Sequence, residues 1–117
     1  VSPKLQAENP EAIRKFIRAF IKSVRDVVKD PAAGAAAVLK RNDVAKQDVE
    51  LDRLKMLIEQ NLVTPAVKNA GFGGILNDRF ERALDQIALT APFKNRPKRE
   101  DIFTSEFLPG SADRMIH

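Results

Sequence analysis

The chain has 117 residues, 44% of them hydrophobic and 31% charged, with a formal net charge of +4; that is one domain's worth of chain, able to bury a core. It holds no cysteine, which excludes disulfides, thiolate metal sites and cysteine nucleophiles within it. Histidine occurs once, as His117, the last residue, where fraying is expected, so histidine catalysis and multi-histidine metal sites are excluded too.

The only aromatic residues are phenylalanines, which argues against a stacking platform for bases. No apolar run reaches the roughly 18 residues that a membrane span needs, and no secretion signal is legible in these residues. The modest positive charge permits acidic partners without demanding them.

In chain order, "NPEAIRKFIRAFIKSVRDVVKD" opens the first predicted helix. Asn9 suits the N-cap and Pro10 the first helical position, and Glu11 complements the positive end of the helix dipole. Apolar residues recur at Ile13, Phe16, Ile17, Phe20, Ile21, Val24, Val27 and Val28, which is helical periodicity. Asp30-Pro31 repeats the start signal and ends that helix. "PAAGAAAVLKR" follows as a short helix whose alanines and Gly34 allow close packing. "QDVELDRLKMLIEQNL" reads as a third, with Leu51, Leu54, Leu57, Ile58 and Leu62 inward. Thr64-Pro65 starts a turn or two that end at Gly71. Asn77 or Asp78 caps "DRFERALDQIALTA", with Phe80, Leu84, Ile87 and Ala88 on one face and Pro92 after it. A basic loop, "KNRPKRE", and the segment "DIFTSEFLP" complete a closing tail over residues 94–117. Strand signals are nearly absent. The expectation is an all-α single helical segment over residues 1–117, with about five helices and caps at Asn9, Asp30, Thr64 and Asn77.

Arg14, Arg18, Lys22, Arg25 and Lys29 share one face of the first helix. With Lys94, Arg96, Lys98 and Arg99 they form a candidate phosphate-binding surface. The competing reading is a solvated face laced with Glu11–Lys15 and Lys22–Asp26 pairs, and no recognition helix accompanies the stripe. "AGFGGILND" offers backbone N–H groups to an anion, but it lacks the Gly-Lys-Ser/Thr ending of a phosphate loop and no strand precedes it; a helix C-cap at Gly71 and a tight connection explain it better. Carboxylates such as Glu59, Glu81, Asp85 and Glu106 are scattered without an acid–base partner. In "DIFTSEFLP", Ile102, Phe103, Phe107 and Leu108 read as a hydrophobic clasp, with Thr104 capping the turn that carries Ser105 and Glu106.

The order of these pieces resembles the C-terminal third of bacterial ABC-transporter substrate-binding proteins of the nitrate/sulfonate/taurine type, including relatives that bind thiamine-pyrimidine precursors. The resemblance rests on Ser2-Pro3, Asn9-Pro10-Glu11, Asp30-Pro31 and Val38-Leu39-Lys40. It continues through Leu62-Val63-Thr64-Pro65 with Gly71-Phe72-Gly73, then Asn77 to Phe80, where Phe80 stands in place of a common tryptophan, and ends in "DIFTSEFLP". It implies a chain derived from the helical C-terminal part of a two-lobed α/β periplasmic binding fold of about 300 residues. It also implies a bacterial, periplasmic parent that captures a small organic solute, sulfonate, nitrate- or taurine-like, or pyrimidine-like, and delivers it to an ABC permease.

No ligand motif of that family falls on a position of this chain; loop position alone singles out Phe72 and Asn77 as ligand-contact candidates. No cofactor, metal or enzymatic activity is expected, since the pyrimidine-forming enzymatic branch is described as relying on histidine and cysteine. The alternative is a standalone basic helical interaction or nucleic-acid-binding protein. Helices cut from a sheet leave apolar faces bare. Phe16, Phe20 and Ile21, or Phe103 and Phe107, are expected to be left over and to drive either oligomerisation of the fragment or a rearrangement of its helices.

Overall fold

Four helices of the chain begin in the same way, with a short polar residue followed by proline. A computed structural model describes residues 1–42 and 44–117 and shows each of these caps formed. Ser2 Oγ accepts from Leu5 N–H at 3.2 Å, opening α1 (Pro3–Glu8). Asn9 Oδ1 accepts from Ala12 N–H at 3.2 Å, opening α2 (Pro10–Lys29). Asp30 Oδ1 accepts from Ala33 N–H at 3.0 Å at α3 (Pro31–Leu39), and Thr64 Oγ1 from Val67 N–H at 3.3 Å at α5 (Pro65–Ala70). Each side chain satisfies one of the orphan donors of a first turn, while proline supplies a preset φ where no N–H is needed.

The remaining helices start without such a side chain. They are α4 (Gln47–Leu57), α6 (Asn77–Ala88) and the single turn α7 (Arg99–Ile102). The fold is all-α, with seven α-helices and no strand among the described residues. Two of the seven are not among the predicted helices: α1 precedes the first of them and α7 lies in the closing tail.

The cap expected at Asn77 is corrected. Leu76 holds the N-cap backbone position (φ −74°, ψ 131°), and Asn77 is already the first helical residue. Leucine has no oxygen to offer, so the start of α6 rests on Asp78 in its first turn, whose charge suits the helix dipole. Asp78 also pairs with Arg82 one turn on, at 3.0 Å.

α3 lies against both α2 and α4. Gly34 is what lets it in: a Cβ there would sit 3.2 Å from Val27 Cγ1 of α2 and 3.3 Å from Leu54 Cδ2 of α4. α4 runs on into a π-helical turn (Ile58–Leu62). Leu57 is exposed, contrary to the inward reading, because at 100° per residue it falls about 120° around the helix from Leu51. Leu51, Leu54, Ile58 and Leu62 are half-buried as expected.

The buried apolar residues come singly or in pairs from separate elements: Ile13 and Ile21 of α2, Ala35 of α3, Leu84 of α6, and Phe107 and Ile116 of the tail. Ile116, one residue from the chain end, is 0% exposed, although the terminus itself is expected to fray. The tail is tied to α2 at two points along its length. Arg14 lies over the Phe107 ring, 5.3 Å from its centroid, and Arg25 donates from Nε to the Met115 carbonyl at 2.9 Å and from Nη2 to the Asp113 carbonyl at 2.6 Å. The tail therefore runs alongside α2 in the same direction, and Ile116 closes it.

Replacing Ile116 by alanine is expected to lower the unfolding free energy by about 2–5 kcal/mol, as for a fully enclosed aliphatic side chain. Ile102→Ala, at an exposed position, is expected to stay within about 0.5 kcal/mol of the parent. Chemical denaturation of the two variants measures both.

Candidate functional site

Between α5 and α6 the chain leaves an open concavity of about 960 Å³. Its floor is the glycine-bearing connection from α5 to α6, with Gly71, Gly73 and Gly74. Gln60 and Asn61 of the π-helical turn line one side, Arg79, Arg82 and Ala83 of α6 the other, and Arg114 of the tail closes it. A π-turn widens the helix and redirects the side chains it carries, which is how Gln60 and Asn61 come to line this space.

The floor is held by reciprocal hydrogen bonding between Phe72 and Arg114. Phe72 N–H donates to the Arg114 carbonyl at 2.8 Å, and Arg114 Nη1 donates to the Phe72 carbonyl at 2.8 Å. Arg114 Nε donates in turn to the Pro109 carbonyl at 2.9 Å. These carbonyls lie in loops with no ladder to satisfy them, so a part-buried guanidinium does that work. Gly71 is the C-cap of α5, as the sequence reading has it, with φ +80° and its N–H donating to the Val67 carbonyl at 2.8 Å. A Cβ at Gly71 would stand 3.0 Å from both Arg114 Cβ and the Ser111 carbonyl oxygen. Gly73, at φ +86°, has only Leu108 Cδ2 at 3.5 Å.

Of the two ligand-contact candidates, neither lines the concavity. Phe72 turns to α2, where its ring stacks on Phe20 at 6.4 Å between centroids, and Phe20 stacks on Phe16 at the same distance. Asn77 is exposed at the start of α6. The residues that do line it, Gln60, Asn61 and Arg114, carried no motif; the nearest signal was the glycine cluster itself.

The clasp is corrected in one member. Phe107 is buried, Phe103 and Leu108 are half-buried, and Ile102 is 64% exposed, since it ends α7 on its outer side. Ile116 takes the enclosed place. Thr104 does cap its turn, with Oγ1 accepting from Glu106 N–H at 3.2 Å.

The basic stripe is partly consumed inside the molecule. Arg14 pairs with Glu11 at 3.0 Å and Glu106 at 3.8 Å, and Arg25 is committed to the tail. Arg96 pairs with Glu81 and Asp85, both at 2.9 Å; the hydrogen bonds from Glu81 and then Asp85 raise its pKa above the ordinary value. The Glu11–Lys15 pair does not form, because Arg14, one residue nearer, takes Glu11, and the Lys22–Asp26 pair does not form either. Glu100 is held below the usual carboxylate range, first by its own backbone N–H and then by Arg99. A carboxyl poised as a general acid is shifted the other way. Among the described residues no cluster of three acidic or histidine side chains could hold a metal ion, and no helix is long and apolar enough to cross a membrane.

No family model, curated protein or solved structure matches this chain.

Gly71→Ala is expected to cost about 2–3 kcal/mol, combining a left-handed backbone with a contact that backbone atoms cannot relieve. Gly73→Ala is expected to cost about 1 kcal/mol, from conformation alone. Urea titration of the pair gives the difference, and equal losses would show that the Arg114 contact carries no weight.

Proposed function

We propose that the chain is the C-terminal helical layer of a periplasmic solute-binding protein that captures a small organic solute for an ABC importer. One observation carries the reading. The chain exposes 8741 Å², whereas a compact monomer of this mass exposes about 6300 Å². Its radius of gyration is 17.3 Å, against about 13 Å for a compact domain of this length. The surplus is apolar in part: Met56 and Leu57 of α4 and Ile87 of α6 lie on outer faces, as does Leu89 just beyond α6. Helices with apolar residues on outward faces are what remains when the layer they covered is taken away.

The motif order gives that layer a parent. The four capped starts, the Gly71 C-cap and the closing "DIFTSEFLP" follow the order of the nitrate/sulfonate/taurine-type binding proteins. On this reading the sheets that the helices cover, and most ligand contacts, belong to residues outside the 117. The protein's work is capture and delivery rather than catalysis. A nucleic-acid role is less well supported, because Arg14, Arg25, Arg96 and Arg99 of the candidate surface are engaged with carbonyls and carboxylates of the chain itself, which leaves Arg18 and the lysines.

The test uses the complete gene product with nitrate, short alkyl sulfonates and aminopyrimidines. A ligand at about 100 times its Kd stabilises by about 2.7 kcal/mol, which raises Tm by roughly 5–10 °C for a protein of such size. A thermal-shift series in which no member of the three classes moves Tm would remove the proposal.

A further inference from the structure

The charges that line the concavity between α5 and α6 do not balance. Asp78 and Arg82 pair with each other at 3.0 Å. Arg79 and Arg114 remain, and neither has a carboxylate partner among the described residues.

Arg114 is the sharper case. It is half-buried, and its Nε and Nη1 each donate to one carbonyl, of Pro109 and of Phe72. A guanidinium carries five N–H donors. With two used, both hydrogens of Nη2 and one of Nη1 meet no acceptor among the described residues. The two carbonyl bonds fix the plane of the group without neutralising it, since a carbonyl has no net charge. A positive charge drawn partly out of water without a counter-charge favours an anion beside it.

The surroundings leave room for one. On the floor, a Cβ added at Gly74 would stand 3.6 Å from Arg114 Nη1, and glycine keeps that approach open. On α6, Arg79 shares a sector of about 100° with Leu76, Phe80 and Ala83, and all four line the concavity. This face sets one charge amid apolar surface. The space, about 960 Å³, is of the size that small-molecule sites have, about 300–1,000 Å³.

We propose that the concavity binds a small organic carboxylate, its head on the guanidiniums of Arg114 and Arg79 and its short apolar body against Leu76, Phe80 and Ala83. A planar carboxylate matches the planar fork of a guanidinium, which accepts two of its oxygens side by side. The site does not rest on the solute-binding reading, because every residue in it belongs to the 117, whereas that reading puts most ligand contacts outside them. The two fail separately: one is tested on the complete gene product, the other on the 117-residue chain.

Hexanoate is the probe, added to the isotope-labelled 117-residue chain at about 0.15 M salt, where exposed charges more than about 8 Å apart are screened from one another. Saturable NMR shifts are expected at the amides of Gly73, Gly74 and Arg79 and at Arg114 Nε–H, with a Kd on the order of 1 mM. Arg79→Gln is expected to weaken binding about tenfold, through loss of one charged donor. Ala83→Trp fills the space without changing charge and is expected to abolish binding. Both positions are exposed, so both variants are expected to keep the parent's circular dichroism. Hexanamide, the same body without the charge, is expected to bind at least about tenfold more weakly. No saturable shift up to about ten times that Kd, equal affinity for hexanamide, or unchanged affinity in either variant overturns the proposal. So does inorganic sulfate binding as tightly as hexanoate, which marks a bare charge contact with no use for the apolar wall.

Discussion

The tail is fastened by arginine side chains that donate to backbone carbonyls, and the rest of the molecule depends on that fastening. Residues 103–117 form no helix beyond one 3₁₀ turn (Ser111–Arg114) and join no sheet among the described residues. Their carbonyls have no regular partner. A buried or half-buried carbonyl without a donor costs as much as a lost hydrogen bond. Arg25 supplies donors to Asp113 and Met115, and Arg114 to Pro109 and Phe72. Each bond carries a full charge on one side, which makes it stronger than an amide–carbonyl bond. With the tail so placed, Ile116 is enclosed and Phe107 lies beneath Arg14.

This use of charge explains why lysine and arginine part company here. Nearly every ion pair among the described residues uses arginine, and so does every side-chain donor to the tail's carbonyls among them. The planar fork meets two acceptors at once, as Arg25 does with Nε on the Met115 carbonyl and Nη2 on the Asp113 carbonyl. The lysines mostly stay outside, with Lys4–Glu8 at 4.0 Å the one loose pair they form among the described residues. A count of basic residues along α2 therefore overstates the charge open to a polyanion. The stripe is one face in projection but two functions in space, with Arg14 and Arg25 turned to the tail and the lysines left to solvent.

Local signals carried the fold class well because they are local. Asn9, Asp30 and Thr64 each cap the helix that the sequence assigns to them, and Gly71 ends its helix with the positive φ its type allows. Ser2-Pro3 obeys the same chemistry, although the sequence reading assigned no helix to it. Asn77 misled because Asn-Asp looks like a cap whichever residue the backbone actually turns at. What local rules cannot hold is contact between distant residues. Nothing near Ile116 marks it as enclosed, since its place depends on Arg25, some 90 residues earlier. The concavity beside Arg114 is illegible for the same reason: its walls come from the π-turn, α6 and the tail. Phe72 could be picked out as exceptional in its loop, but not assigned to α2 rather than to a ligand.

The few enclosed side chains set the energetic problem for the whole chain. Folding must offset a backbone entropy cost of about 1–2 kcal/mol per ordered residue, chiefly by burial at about 25 cal/mol per Å². Six apolar residues below a tenth exposure, drawn from four separate elements, are a thin core for 117 residues. Capping and arginine–carbonyl bonds hold local geometry, yet each contributes only about 1–3 kcal/mol. Apolar surface that faces water contributes nothing to that sum. For α2 that surface is on Phe16 and Phe20; for α4 and α6 it is the apolar residues on their outer faces. Anything that covers those residues in the folded state alone would stabilise the chain by mass action.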